Sequence, residues 1–197
     1  MSPRYHGVRR LSAMSGEVTL ASPRASMVIH TLPFDEDPIR AWYGGQLALV
    51  EHEVVSLADA MPADLYNFAP GAGPRTFGEQ VRHLATMIYM TAALVLEERS
   101  PYGPGRHNNG PERLRSKAEI LDYLAGALTY AHRAVATLSV ENHLDLVPSA
   151  FGSMSRAAVA AGIALHSFNH YGQMVVYARL HGIVPPASVP ADDASDE

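Results

Sequence analysis

The chain has 197 residues, which fits one domain with tails, and 47% of them are hydrophobic, enough for a sizeable core. Twenty acidic against fifteen basic side chains leave a net charge of −5 with no basic block, which argues against a nucleic-acid surface. The absence of cysteine excludes a disulfide framework, a cysteine-ligated zinc site and a thiol nucleophile.

Residues 1–36 mix Ser, Pro, Gly and Arg without periodicity and are expected to form a disordered extension. They carry basic positions (Arg4, Arg9, Arg10) but no sustained apolar stretch, so a secretory leader is not expected. Met14 and Met27 are alternative translation starts to Met1, and an intact peptide from residues 1–26 would exclude Met27. No run approaches the roughly 20 apolar residues of a membrane span. A cytoplasmic protein without membrane or nucleic-acid partners is the expectation.

A first helix is predicted from Pro38 to about Ala60, with Asp37 as N-cap and Pro38 at the first helical position. Leu47, Val50, Val54, Leu57 and Met61 form its core-facing stripe, which Glu51 borders and His52 avoids. After a loop over residues 62–75, Thr76 and Glu79 form a capping-box pattern that opens a second helix running to about Glu98, with His83 inside it. Residues 99–115 are the longest internal loop, a length that fits a crossing or a cover. Ser116 and Glu119 repeat the capping pattern and open a third helix to about Leu138, with Ile120, Leu121, Leu124, Leu128, Ala131 and Val135 inward.

Residues 139–152 read as another loop, and a fourth helix is predicted from near Ser153 to His181. Gly182, Pro185 and Pro186 supply its stop. Residues 189–197 are expected to be an acidic disordered tail. No strand-type alternation is long enough to build a sheet. The expected fold over residues 37–188 is therefore all-α, a four-helix bundle with crossover (up-down-down-up) topology.

Ten histidines are present, and His6, His30, His52, His107, His132 and His143 fall on tails, loops or exposed faces. His107 lies on the long loop, which could fold over a site. His166 and His170 differ: four residues apart, they share a stripe with Ile163, Met174 and Tyr177 and project side by side. Two buried imidazoles need partners for their ring nitrogens. Hydrogen bonds to neighbouring helices supply partners in one reading; a metal shared with His83 supplies them in the other. The segment His-Ser-Phe-Asn-His lacks the glutamate that follows the first histidine in zinc proteases, so a base of that type is missing.

The pattern TFGEQVRHLA followed by HSFNHYGQMVVYARLHGIVPP resembles the DinB-like metalloprotein family. The resemblance runs from about Asp37 to Pro190 and includes the Trp-containing first helix and the loop LYNFAPGAGPRTF. It implies a four-helix bundle and a divalent transition metal, zinc by default and nickel, iron, cobalt or manganese otherwise, on His83, His166 and His170. It also implies a homodimer and, among the reactions of related proteins, S-transfer with a low-molecular-weight thiol or hydrolysis. Tyr171 stands where many family members have Arg.

A three-histidine site with an open position suits catalysis, since a bound water or thiol is activated there. Glu51, Glu79, Gln80 and Gln173 are the polar groups expected nearby, with Glu51 a candidate to orient a ligand histidine and Glu79 also explained as a cap. The alternative to an enzyme on a small-molecule substrate is a non-catalytic bundle that binds a ligand or dimerises.

Overall fold

In the computed structural model, residues 37–149 and 151–189 are described. The expected extension 1–36 with its alternative starts, His6 and His30, and the tail beyond Val189 lie outside them. Asp37 starts the first helix, α1 (Pro38–Ala60), its Oδ1 accepting from the backbone N–H of Ile39 at 2.9 Å and Arg40 at 3.2 Å. Its other oxygen accepts from Val140 N–H at 2.9 Å, which stitches the start of α1 to the turn after the third helix. The predicted stripe of Leu47, Val50, Val54, Leu57 and Met61 is wholly buried.

The second helix, α2 (Phe77–Leu96), and the third, α3 (Lys117–Ala136), both open with complete capping boxes, Thr76 with Glu79 and Ser116 with Glu119. Each box satisfies donors that a helix start leaves unpaired. α2 ends two residues short of Glu98 because Glu97 takes a left-handed conformation (φ 54°) and its carboxylate turns to Arg156. α3 ends at Ala136, two residues before the expected Leu138. The stretch before α2 contains a short 3₁₀ turn, Ala63–Asn67, whose Tyr66 hydroxyl donates to Ala58 O at 2.7 Å and closes the loop onto α1.

The stretch expected to be a loop without strands carries an antiparallel pair, β1 (Leu146–Ser149) and β2 (Gly152–Ser155), with Val147 opposite Met154. Four-residue arms offer too little alternation to register as strands, and of β1 only Val147 is buried. Because β2 uses Gly152–Ser155, the last helix, α4 (Arg156–Leu180), begins at Arg156 and not near Ser153. Ser155 caps it by accepting from Ala158 N–H at 3.3 Å. Gly182 follows its end with φ +71°, as the C′ position requires.

The helix contacts set the topology. α2 packs on α3 and α4, and α1 packs on α3 and α4, so chain-consecutive α1 and α2 stand diagonally, as do α3 and α4. An up-and-down meander would instead place consecutive helices side by side. The fold is thus an all-α four-helix bundle with crossover connections, to which the two short strands are an appendage. Leu57, Leu84, Leu124, Leu128 and Met174 fill its centre without measurable exposure above 1%. Burial of each contributes about 1.5–3 kcal/mol relative to exposure. No helix among the described residues is long and apolar enough to cross a membrane.

Candidate metal centre

The seam between α2 and α4 brings the three predicted histidines together. His83 projects from α2, while His166 and His170 project one turn apart from α4. One ring nitrogen from each can be chosen so that all three lie within 4.8 Å of one another. Nε2 of His83 and Nε2 of His166 are 3.2 Å apart. His83 and His170 are each 5% exposed, and His166 is half-buried.

Burial penalises the imidazolium form and pushes His83 down to about 4, with Arg75 and His166 adding repulsion against a partly offsetting bond to Asn108. Burial also brings His170 to about 4, assisted by the charges of His166, His83 and Arg75. His166 shifts the same way, through burial and then Arg75. The cluster is therefore neutral at pH 7, which is the protonation state a metal ligand needs.

Hydrogen bonds at the far side of two rings choose the tautomer. Nδ1 of His83 lies 2.9 Å from the backbone carbonyl of Asn108, which can only accept, so Nδ1 carries the proton and Nε2 a lone pair. Nδ1 of His170 likewise donates to Gln80 Oε1 at 2.8 Å, and Gln80 Nε2 donates to Gln173 Oε1 at 3.0 Å. His83 Nε2 thus keeps a lone pair 3.2 Å from His166 Nε2, the proton on His170 Nδ1 leaves Nε2 as that ring's acceptor, and one nitrogen of each ring shares one space. A cation in that space satisfies all three nitrogens, so the donor set fits a divalent transition metal.

The other predicted residues divide. Gln173 and Gln80 form the relay from His170 just described. Glu79 Oε2 accepts from Thr76 N–H at 2.9 Å and its other oxygen lies 4.0 Å from Arg82, so its carboxylate is committed to the start of α2. Glu51 does not orient a ligand histidine: it pairs with His132 of α3 at 2.7 Å, both side chains well exposed. The edge of α1 that carries Glu51 faces α3, whereas the centre lies between α2 and α4. The Tyr171 hydroxyl is pushed up by burial and then by the charge of Glu53 on α1.

Two participants escaped sequence reading. Asn108 sits in the short turn Arg106–Asn108 of the long loop with φ 59°, a conformation Asn tolerates. The loop does fold over the site, but through the Asn108 carbonyl and not the His107 ring. Arg75 holds that loop, donating from Nε to Asn109 Oδ1 at 2.7 Å and from Nη2 to the His107 carbonyl at 3.0 Å. The signal available for Asn108 was the run Asn108-Asn109-Gly110, a turn chemistry with no visible link to His83.

The sequence profile of the DinB superfamily matches residues 46–174, more than half of the chain and all three histidines. The chain belongs to the DinB superfamily. Solved DinB-like proteins share its fold. One from Bacillus cereus ATCC 10987 is 18% identical with a TM-score of 0.58, over 73% of this chain and 93% of the other. One from Bacillus subtilis is 14% identical with a TM-score of 0.56, over 72% and 92%. A third, described as of the DinB family, from Exiguobacterium sibiricum 255-15, is 15% identical with a TM-score of 0.53, over 74% and 93%. No curated protein matches this DinB chain.

Proposed function

We propose that this DinB-like protein is a metal-dependent enzyme that holds one divalent transition metal on His83, His166 and His170 and acts on a small-molecule substrate. The observation that carries the reading is the convergence of one nitrogen from each of the three rings to within 4.8 Å, with Asn108 and Gln80 taking the Nδ1 protons of His83 and His170. Zinc is the default for three imidazoles, and nickel, iron, cobalt and manganese suit the same donors. Such an ion acts as a Lewis acid that lowers the pKa of a coordinated thiol or water.

The chain's own groups favour S-transfer with a low-molecular-weight thiol over hydrolysis. Glu79 is committed to the helix cap and Glu51 pairs with His132. Neither is placed as a general base for water, and a thiol, with an ordinary pKa of about 8.5, needs less help to ionise. Asn108 and Gln80 fix ring orientation, and His83 and His170 are each 5% exposed.

A homodimer and a cytoplasmic location belong to the same proposal. Exposed Trp42 and Leu49 on α1 with Val176 and Leu180 on α4 supply apolar surface for pairing. Light scattering at micromolar concentration tests the dimer.

The central test is metal content by mass spectrometry of untagged protein beside His166→Ala and His170→Ala. Near one equivalent in the parent, lost in both variants, supports the reading and justifies a thiol-transfer screen. No metal after reconstitution, with variants merely less stable, would leave these as core histidines.

A further inference from the structure

Among the described residues, Arg75 is a cation without an anion. It stands directly before α2, half-buried, and is anchored at both ends: Tyr177 of α4 donates to its backbone carbonyl at 2.7 Å, and its guanidinium donates to Asn109 and to the His107 carbonyl. All three acceptors and donors are neutral. No carboxylate pairs with it among the described residues, although Arg82, Arg133 and Arg156 each have one. A guanidinium has five N–H donors, and these contacts use two.

The same side chain lines a cavity of about 400 Å³, within the range of small-ligand sites. Gln80, Gln173, Glu79 and Tyr177 also line it, and no other Arg or Lys does. Gln80 and Gln173 are the relay from His170, so one wall of the cavity is the support of the histidine cluster. The charge of Arg75 is felt at His83, His166 and His170 alike.

We propose that Arg75 is the anion-recognition residue of this cavity and docks the carboxylate of a small monocarboxylate substrate beside the three-histidine centre. A planar guanidinium matches a carboxylate in a forked pair. A phosphate dianion fits less well, because one unpaired cation faces it and the Glu79 carboxylate lies in the same lining. The role of this anion as substrate rests on the metal reading; the docking itself depends on Arg75 alone.

The test uses benzoate and inorganic phosphate as probes, titrated into full-length ¹⁵N-labelled protein both metal-loaded and chelator-treated. The side-chain amide signals of Gln80 and Gln173 report. Benzoate is expected to shift both saturably in either metal state, with phosphate at least about tenfold weaker, and Arg75→Gln to weaken benzoate at least about tenfold. Arg75→Lys, which keeps the charge but loses the fork, should weaken benzoate less than Arg75→Gln does.

Equal benzoate binding in Arg75→Gln, or shifts that never saturate, overturns the proposal. So does equal loss in the Lys and Gln variants, which would assign Arg75 to holding the loop. If the Gln variant does not fold, protection of Arg75 in the parent from phenylglyoxal by benzoate, mapped by peptide mass, decides: protection supports docking and its absence overturns it. Loss of the metal reading would leave the chelator-treated titration standing, so the two failures are separable.

Discussion

His83 on α2 is oriented by Asn108, a loop residue 25 positions later whose backbone carbonyl fixes the ring proton. Since a carbonyl cannot be removed by substitution, the loop must be moved to test the bond. Gly110 adopts φ +66°, and a Cβ there would meet the hydroxyls of Thr86 and Tyr123. Gly110→Ala is expected to cost about 1–3 kcal/mol by overpacking and backbone strain. Metal affinity should fall alongside, because the loop carries Asn108. Chemical denaturation and chelator competition on the same sample check both; a destabilised variant with full affinity would separate loop from centre.

Gln80 should matter more than Gln173. Gln80→Leu removes the acceptor of His170 Nδ1 and frees the ring to turn. Loss of such a partner typically costs about 10–100-fold in metal affinity. Gln173→Ala leaves that bond in place and should cost less than about tenfold. Parallel competition with a chelator gives the order, and equal losses would show that the relay acts as one unit.

The two glutamates are expected to be dispensable for metal. Glu79→Gln retains a capping side chain, and Glu51→Ala breaks only an exposed pair with His132. Both should bind metal as the parent does. Thr76→Ala, by contrast, removes the acceptor of Glu79 N–H and should cost about 1 kcal/mol. A drop in metal content for Glu79→Gln would place its carboxylate nearer the chemistry than its hydrogen bonds do.

The metal-free protein should lose stability in acid. His83 and His170 sit at about 4 in the fold against an ordinary 6.5, so the unfolded chain binds protons more readily. Stability is full above about pH 6.5 and falls as the pH drops toward 4, by a few kcal/mol at about 1.4 kcal/mol per pKa unit. Urea midpoints measured from about pH 7 to about pH 4.5 should decline more steeply in the parent than in His83→Ala. A parent profile as flat as the variant's would contradict neutral burial of the ring.

Local pattern carried most of what was legible beforehand. The α1 stripe, both capping boxes and the four-residue step from His166 to His170 are properties of contiguous sequence, and they stand as read. Contacts across the bundle did not carry in the same way. Glu51 borders a stripe, but its partner depended on which helix lay beside α1, and that was α3 with His132. Tyr171 meets Glu53 for the same reason. The hairpin before α4 rests on eight paired residues held by main-chain bonds, which composition hardly records. Asn108 enters the centre through its backbone, where residue type says least.

Nε2 of His83 and Nε2 of His166 approach to 3.2 Å although 83 positions separate them along the chain. An atom bonded to both would close a loop of that length, the topological equivalent of a cross-link in a polypeptide that has no cysteine to make one. Closing so long a loop removes more freedom from the unfolded chain than closing a short one, though only logarithmically more. Occupancy of the seam should then register as a higher equilibrium stability of the whole bundle, not of α2 and α4 alone.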